Sequence, residues 1–176
     1  FVANGCEPVE VTAPVDALRR GGVDVVLAAV SDDLTVRAAQ AVTLQADAPL
    51  SALDLTQFDA AIVPGGSVGV DNLGKSARVV AERRRMEAGE YVAAICAGPM
   101  VLANAGLLSD RAAVCYPGCE EGWPVGVYQA GKDVFVDGNL ITATGPGTAL
   151  PFGIQILRTL EGDKVADDVA AGMLLK

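Results

Sequence analysis

There is no histidine among the 176 residues. That absence removes a Ser-His-Asp triad, a Cys-His dyad, a histidine-ligated zinc and a histidine pH switch from what one such chain can build. Aromatic side chains are scarce, 5% of residues against 51% apolar. The core must therefore be made of Ala, Val, Leu and Ile, which favours packed strands and helices over a loop-rich scaffold. Positive charge is short: 13 Lys and Arg face 22 Asp and Glu, a net charge of −9. A polyanion binder needs clustered Lys and Arg to displace counterions. The densest basic run, Arg83-Arg84-Arg85, lies between Glu82 and Glu87 and reads as a solvated helix face. Nucleic acid and anionic membrane surfaces are therefore not expected partners.

Cysteine is also sparse, at positions 6, 96, 115 and 119, which is no disulfide framework. Only Cys115 and Cys119 approach the spacing of a zinc knuckle, and Pro117 stiffens the turn between them. No metal is expected, and reduced thiols suit a cytoplasmic protein. No signal peptide is visible. The chain opens Phe1-Val2-Ala3-Asn4-Gly5 without a starter Met, as if cut into an apolar strand. Residues 91–108 carry no charge over 18 positions, a length at which a membrane span is conceivable. Gly98-Pro99, Asn104 and Gly106 interrupt it, so a buried strand running into a short buried helix is the expectation.

What is present alternates. Apolar runs of strand length occupy 23–30, 59–63 (stopped by Pro64-Gly65-Gly66) and 91–95. Continuous rather than alternating apolar character means that both faces are covered, as in a parallel sheet. Helical spacing over 7–20 ends at Gly21-Gly22, and a second helix over 76–88 ends at Gly89. Residues 134–142 read as a hairpin turning at Asp137-Gly138. Helices follow from about 148 to 160 and from 164 to 174. This order predicts an α/β sandwich in a single domain over 1–176, with a mostly parallel central sheet, helices on both faces and one β-hairpin. At 176 residues the chain suffices for one such core.

The most informative stretch is Ala94-Ile95-Cys96-Ala97-Gly98. A buried strand ends on Cys96 and a helix follows at once, the arrangement of a nucleophile elbow with Cys in place of Ser. The turn is too sharp for bulk two positions to either side, and Ala94 and Gly98 meet that demand. A thiol there stands at a helix N-terminus, where peptide dipoles favour a thiolate. The same letters also read as a buried cysteine acting as a small apolar residue. Gly65-Gly66-Ser67 closes the preceding strand, and its amides can form an oxyanion hole or merely a strand-to-helix turn. Glu7 and Glu10 open the first helix. They are dipole partners, or carboxyls able to reach the cysteine and move protons in a chain that has no histidine for that work.

Residues 69–76, Gly-Val-Asp-Asn-Leu-Gly-Lys-Ser, match the phosphate-loop pattern letter for letter. Five residues separate the match from its strand, and Asp71 would stand beside the phosphates. The alternative is a loop followed by a helix cap at Ser76.

Taken in order, Gly5-Cys6-Glu7-Pro8-Val9-Glu10, Val63-Pro64-Gly65-Gly66, Ala93-Ala94-Ile95-Cys96-Ala97-Gly98-Pro99 and Thr144-Gly145-Pro146-Gly147-Thr148 resemble the DJ-1/PfpI superfamily over nearly the whole chain. The branch is the DJ-1 and YajL-like one, because Ala97 and not His follows the cysteine. The resemblance implies a flavodoxin-like sandwich, a homodimer with no cofactor, and Cys96 as a reactive, oxidisable cysteine hydrogen-bonded to Glu10. It implies Gly66 and Ala97 as oxyanion-hole amides, and Glu7, Arg20, Tyr116 and Pro146 near the pocket or dimer face. It implies a small α-oxoaldehyde as substrate, in a glyoxalase or deglycase reaction, or else a redox-sensor or chaperone role. Two departures stand out. Tyr116 occupies the place where relatives often carry His, and Gln45 lies where a second oxidisable cysteine is found.

Overall fold

The structure, a computed structural model, describes residues 1–81 and 89–175. The basic run at 83–85 and the end of the helix expected over 76–88 lie outside the described residues.

The central feature is a four-stranded sheet in the order β5-β6-β8-β7, built from Ala60–Val63 (β5), Tyr91–Ile95 (β6), Leu140–Ala143 (β8) and Val134–Asp137 (β7). The β5–β6 and β6–β8 pairs are parallel, and β7 closes the edge antiparallel to β8. On the other side of β5, the Phe1 amine donates to Ile62 O at 2.8 Å. Val2 then bridges Ala29 in parallel, its N–H on Ala28 O at 2.8 Å. Strand β1 (Ala28–Ala29) pairs in turn with β4 (Ala48–Pro49). The opening residues thus lie between β1 and β5, so the chain winds outward from them in both directions. In open α/β sheets that reversal point is where the strand ends leave a crevice.

Both faces of the sheet are buried, and β6 shows how. Val92 and Ala94 join one apolar cluster, with Val70, Leu73, Val101 and Leu102. Ala93 and Ile95 join another, with Leu18, Phe152, Ile156 and Leu157. The period-two alternation of a strand sends successive side chains to opposite layers. One layer holds α1 (Pro8–Arg20), α5 (Ala149–Glu161) and α6 (Asp163–Gly172); the other holds α2 (Ser67–Gly74), α3 (Ala77–Val80) and α4 (Gly98–Asn104). This is the α/β sandwich that the order of apolar runs implied, in the flavodoxin-like form that the family resemblance implied. No described helix is long and apolar enough to cross a membrane.

Three expectations need correction. The run over 23–30 forms ladder only at 28–29. Its one long-range partner on the inner side is Val2, and Leu27 instead gives its N–H to the Asp47 carboxylate at 2.8 Å. The stretch after Gly66 is a helix, α2, where a loop was expected. The phosphate-loop match is consequently spread over the end of α2, Lys75 as its C-cap, and Ser76 as the N-cap of α3. Its first glycine, Gly69, packs within the helix against the Cys6 backbone, so no amide cradle exists there. The hairpin turns one residue later than expected. Asp137 pairs with Leu140, leaving Gly138-Asn139 as the two-residue loop, with φ +59° at Gly138. Glycine at the first loop position is the type II′ preference.

The layer of α1 and α5 depends on Gly153. A Cβ there would lie 2.7 Å from Pro14 Cα and 3.2 Å from Ala17 Cβ. Gly153→Ala should therefore destabilise the protein by about 1–3 kcal/mol in urea denaturation, because backbone must move. Gly172→Ala, at a helix position with open space around it, should leave stability unchanged or raise it.

Candidate active site

Strand β6 delivers Cys96 to the carboxyl end of the sheet, where its N–H still bonds Ala143 O at 2.9 Å. The chain then turns sharply. Cys96 has φ +62°, a left-handed conformation that non-glycine residues adopt at a cost of order 1 kcal/mol. Ala97 caps α4, which starts at Gly98-Pro99. Gly98 is obligatory at this corner, since a Cβ would lie 2.5 Å from Val63 O.

Glu10 comes from the first turn of α1 and is completely buried, at 0% exposure. Its Oε2 accepts the Gly65 N–H at 2.8 Å. Its Oε1 is buried with no hydrogen-bond partner among the described residues, and the charge of the carboxyl acts directly on the Cys96 thiol. Gly65 is the wedge between them. A Cβ there would fall 2.6 Å from Glu10 Oε2 and 2.7 Å from Cys96 Cβ. The Ala97 and Gly66 amides point at the sulfur. Gly66 reaches it from a backbone at φ +90°. Glu7 donates its N–H to Gly65 O at 3.1 Å, and its carboxylate adds negative potential at Glu10.

The electrostatics differ from the helix-dipole expectation of a depressed thiol. Burial, then the Glu10 charge and hydrogen bond, push Cys96 up to about 12, against the opposing pull of the Ala97 and Gly66 amides. Burial also raises Glu10, from an ordinary 4.5 to about 7, over the lowering effect of the Cys96 and Gly65 hydrogen bonds. Two acids in contact titrate as a pair. The first proton leaves near 7, and the second is held because two negative charges would otherwise share one buried site. From neutral to strongly alkaline pH the pair keeps a single proton. Thiolate exists there only as the tautomer in which Glu10 carries that proton.

The remaining expected site residues are dispersed. Tyr116 adjoins Cys96 through its backbone, N–H to Cys96 O at 2.9 Å, and its ring, 52% exposed, lies over Gly145. Pro146 begins an exposed turn over 146–148, in a shallow groove with Val9, Thr12 and Ala13. Arg20 stands at the far end of α1, paired with Asp16 at 3.0 Å. Ten residues of helix put it about 15 Å along the axis from Glu10, outside the thiol pocket. Gly65, whose loop was expected to offer its amides to an oxyanion hole, gives its N–H to the Glu10 carboxyl instead. A cavity of about 340 Å³ between β1 and β5 touches Glu10 but not Cys96. Among the described residues no group of three or more metal-ligating side chains could hold an ion.

A flavodoxin-like sheet with a cysteine at a left-handed strand-to-helix corner, a buried glutamic acid against it and two amides on its sulfur defines a thiol–carboxyl protein of the nucleophile-elbow type. The family profile described as DJ-1/PfpI matches residues 1–159, and the chain belongs to that family. It is 35% identical to Protein dj-1beta of Drosophila melanogaster over 99% of this chain and 95% of that protein. It is 31% identical to the glutathione-independent glyoxalase DJR-1.2 of Caenorhabditis elegans over 96% of this chain and 90% of that one. The solved structure of oxidised Toxoplasma gondii DJ-1 superposes with a TM-score of 0.93 at 34% identity, covering 98% and 95% of the two chains.

Two measurements follow from the pair. Alkylation of Cys96 by iodoacetamide should accelerate with pH around an apparent pKa of about 7, and a midpoint near 12 would contradict single-proton sharing. Stability should also respond. Folded Glu10 binds its proton more tightly than unfolded Glu10, so its contribution is complete below pH 4.5 and is lost as pH rises to about 7. The loss is of order 3 kcal/mol at 1.36 kcal/mol per unit. Glu10→Gln should flatten that window in urea titrations, with the amide oxygen still accepting from Gly65.

Proposed function

We propose that the protein converts small α-oxoaldehydes such as methylglyoxal to hydroxy acids without glutathione. The observation that carries this reading is the fully buried Glu10 carboxyl set beside Cys96 at its left-handed corner, with only Gly65 wedged between them. Glu10 takes the thiol proton as the sulfur attacks the aldehyde carbon, forming a C–S bond and an alkoxide that the amides stabilise. The alkoxide recovers that proton, giving a hemithioacetal. Glu10 next removes the C1 hydrogen to give an enediolate, the C1 hydroxyl proton passes to the C2 oxygen, and Glu10 returns the hydrogen at C2 as the C1 carbonyl forms. The product is a 2-hydroxy thioester. Water attacks it, the C–S bond breaks, and the hydroxy acid and the free thiol leave. Each proton has one carrier, as a site without histidine requires. The likeness to a glyoxalase of Caenorhabditis elegans supports the substrate class. Removal of early glycation adducts, the deglycase reaction, would use the same groups.

Methylglyoxal consumption without glutathione should fall by at least about 100-fold in Cys96→Ser and in Glu10→Gln, the scale of a lost nucleophile or general base. Equal rates in all three proteins would remove the proposal.

A second reading is supported by the likeness to a DJ-1 solved in oxidised form. Here Cys96 is an oxidative-stress sensor whose sulfinate is held by the same amides and by protonated Glu10. Mild peroxide should then add oxygen at Cys96 before any other cysteine, by peptide mass. We further propose a cytoplasmic homodimer, as the family suggests. Exposed Val9 and Val68 beside the site offer apolar surface for it, and light scattering reads the mass.

A further inference from the structure

The cavity between β1 and β5 is used by neither reading of Cys96, and it is an opening in the sheet itself. Phe1 and Val2 join the two strands at Ala28–Ala29 and Ile62. Ahead of that junction, residues 24–27 and 59–61 flank a cavity of about 340 Å³. Both flanks turn backbone towards it. Ala28 O takes the Val2 N–H, whereas Leu27 O accepts from Asp47 and Ala48 and Val25 O from Arg19, on the opposite side. Extended-chain alternation therefore faces Val26 into the cavity together with Ala28. The Val26 N–H and C=O have no partner among the described residues. On the other flank, Ile62 O takes the Phe1 amine while Asp59 O takes the Tyr91 N–H of β6, so Ala60 faces the cavity together with Ile62. Val25, Val26, Ala60 and Ile62 are only half-buried.

The dimensions and chemistry are those of a missing ladder rung. Val2 stands opposite Ala29, and the Phe1 N–H reaches Ile62 O, so Phe1 stands opposite Ala28 and Val63. One step back lies between Leu27 and Ile62, the next between Val26 and Ala61, the next between Val25 and Ala60, and the last between Asp24 and Asp59. That is roughly four residues, or about 13 Å of extended chain. Leu18 and Ile156 line the cavity from one helix layer, Leu53 and Leu55 from the other. A strand inserted here would bury both faces in apolar surroundings. The outer end differs. Asp24 and Asp59 are exposed there, level with each other, and no Lys or Arg among the described residues lines the cavity.

We propose that this opening takes a short extended segment of a partner protein, a basic residue followed by three apolar ones, as an added parallel strand. Its amides and carbonyls pair with Val26 and Ala60, which is recognition by strand addition. Its apolar side chains alternate between the two layers. Its basic side chain lies between the Asp24 and Asp59 carboxylates, which fixes the direction as parallel to both neighbours.

The test titrates acetyl-Lys-Val-Val-Val-amide into the nitrogen-15-labelled full chain. The Val26, Ala60 and Ile62 amides should shift together, saturating at one peptide per chain. Acetyl-Glu-Val-Val-Val-amide should bind about fivefold more weakly, the scale of two exposed ion pairs. The double substitution Asp24→Asn with Asp59→Asn, at exposed positions outside the core, should erase that preference. Methylating the peptide's backbone nitrogens should weaken binding at least about tenfold, because the ladder donors are lost. Equal binding of the methylated peptide, or of hexylamine, would show an apolar cavity without strand recognition and overturn the proposal. Shifts of the same amides that follow protein concentration without peptide would assign the opening to a second copy, and absence of any shift would leave it without a peptide ligand; either result also overturns it. None of these readouts involves Cys96, so they are independent of whether it turns over aldehydes.

Discussion

One proton held between a thiol and a carboxyl organises the site. Burying either acid alone would simply keep it neutral and inert. Placed in contact, with three backbone amides divided between oxygen and sulfur, they form a unit that carries one negative charge near neutral pH and strongly resists a second. The Gly65 amide supports the Glu10 carboxylate and the Gly66 and Ala97 amides support charge on the sulfur, and near neutral pH the proton stays mainly on the thiol. On the proposed chemistry, a chain without histidine would draw its nucleophile and its proton carrier from these two residues.

The fold exists, from this viewpoint, to bring three chain segments to one point. The reversal of winding at residues 1–2 sets the start of α1, the end of β5 and the end of β6 side by side. Glu10, Gly65-Gly66 and Cys96 are the first chemically useful positions beyond each. Membership of the DJ-1/PfpI family is consistent with this, since its relatives align along almost the full length rather than over a local motif. Tyr116 is tied to the corner by its main chain, its N–H bonding the Cys96 carbonyl, while its ring stays half exposed.

Much of this was legible in the residues because strands buried on both faces write continuous apolar runs, and β5 and β6 do so with clear stops. The elbow was legible because small residues flank Cys96 where bulk would collide with Val63 O. The rest failed for physical reasons. Residues 23–27 are apolar enough for a strand, but pairing is a property of neighbours, and Val2 and Ala48-Pro49 flank the chain only at 28–29. Helix α2 carries two glycines, Gly69 and Gly74, whose low propensity hid it. It forms because Val70 and Leu73 are buried against the sheet. The antiparallel pair at 35–37 and 43–45 is too short and too exposed to leave a periodic trace. The direction of the thiol's shift depends first on its burial and then on how close Glu10 lies, and spacing along the chain encodes neither.

The left-handed backbone at Cys96 carries an implication for descent. Glycine would occupy that conformation without strain, so folding alone favours losing the sulfur. A lineage released from the chemistry would drift towards glycine at 96, gaining robustness as it did so. Retention of cysteine at this corner is therefore a record of selection acting against the grain of the scaffold, and among diverged copies the identity of this one residue would separate those still employed from those merely folded.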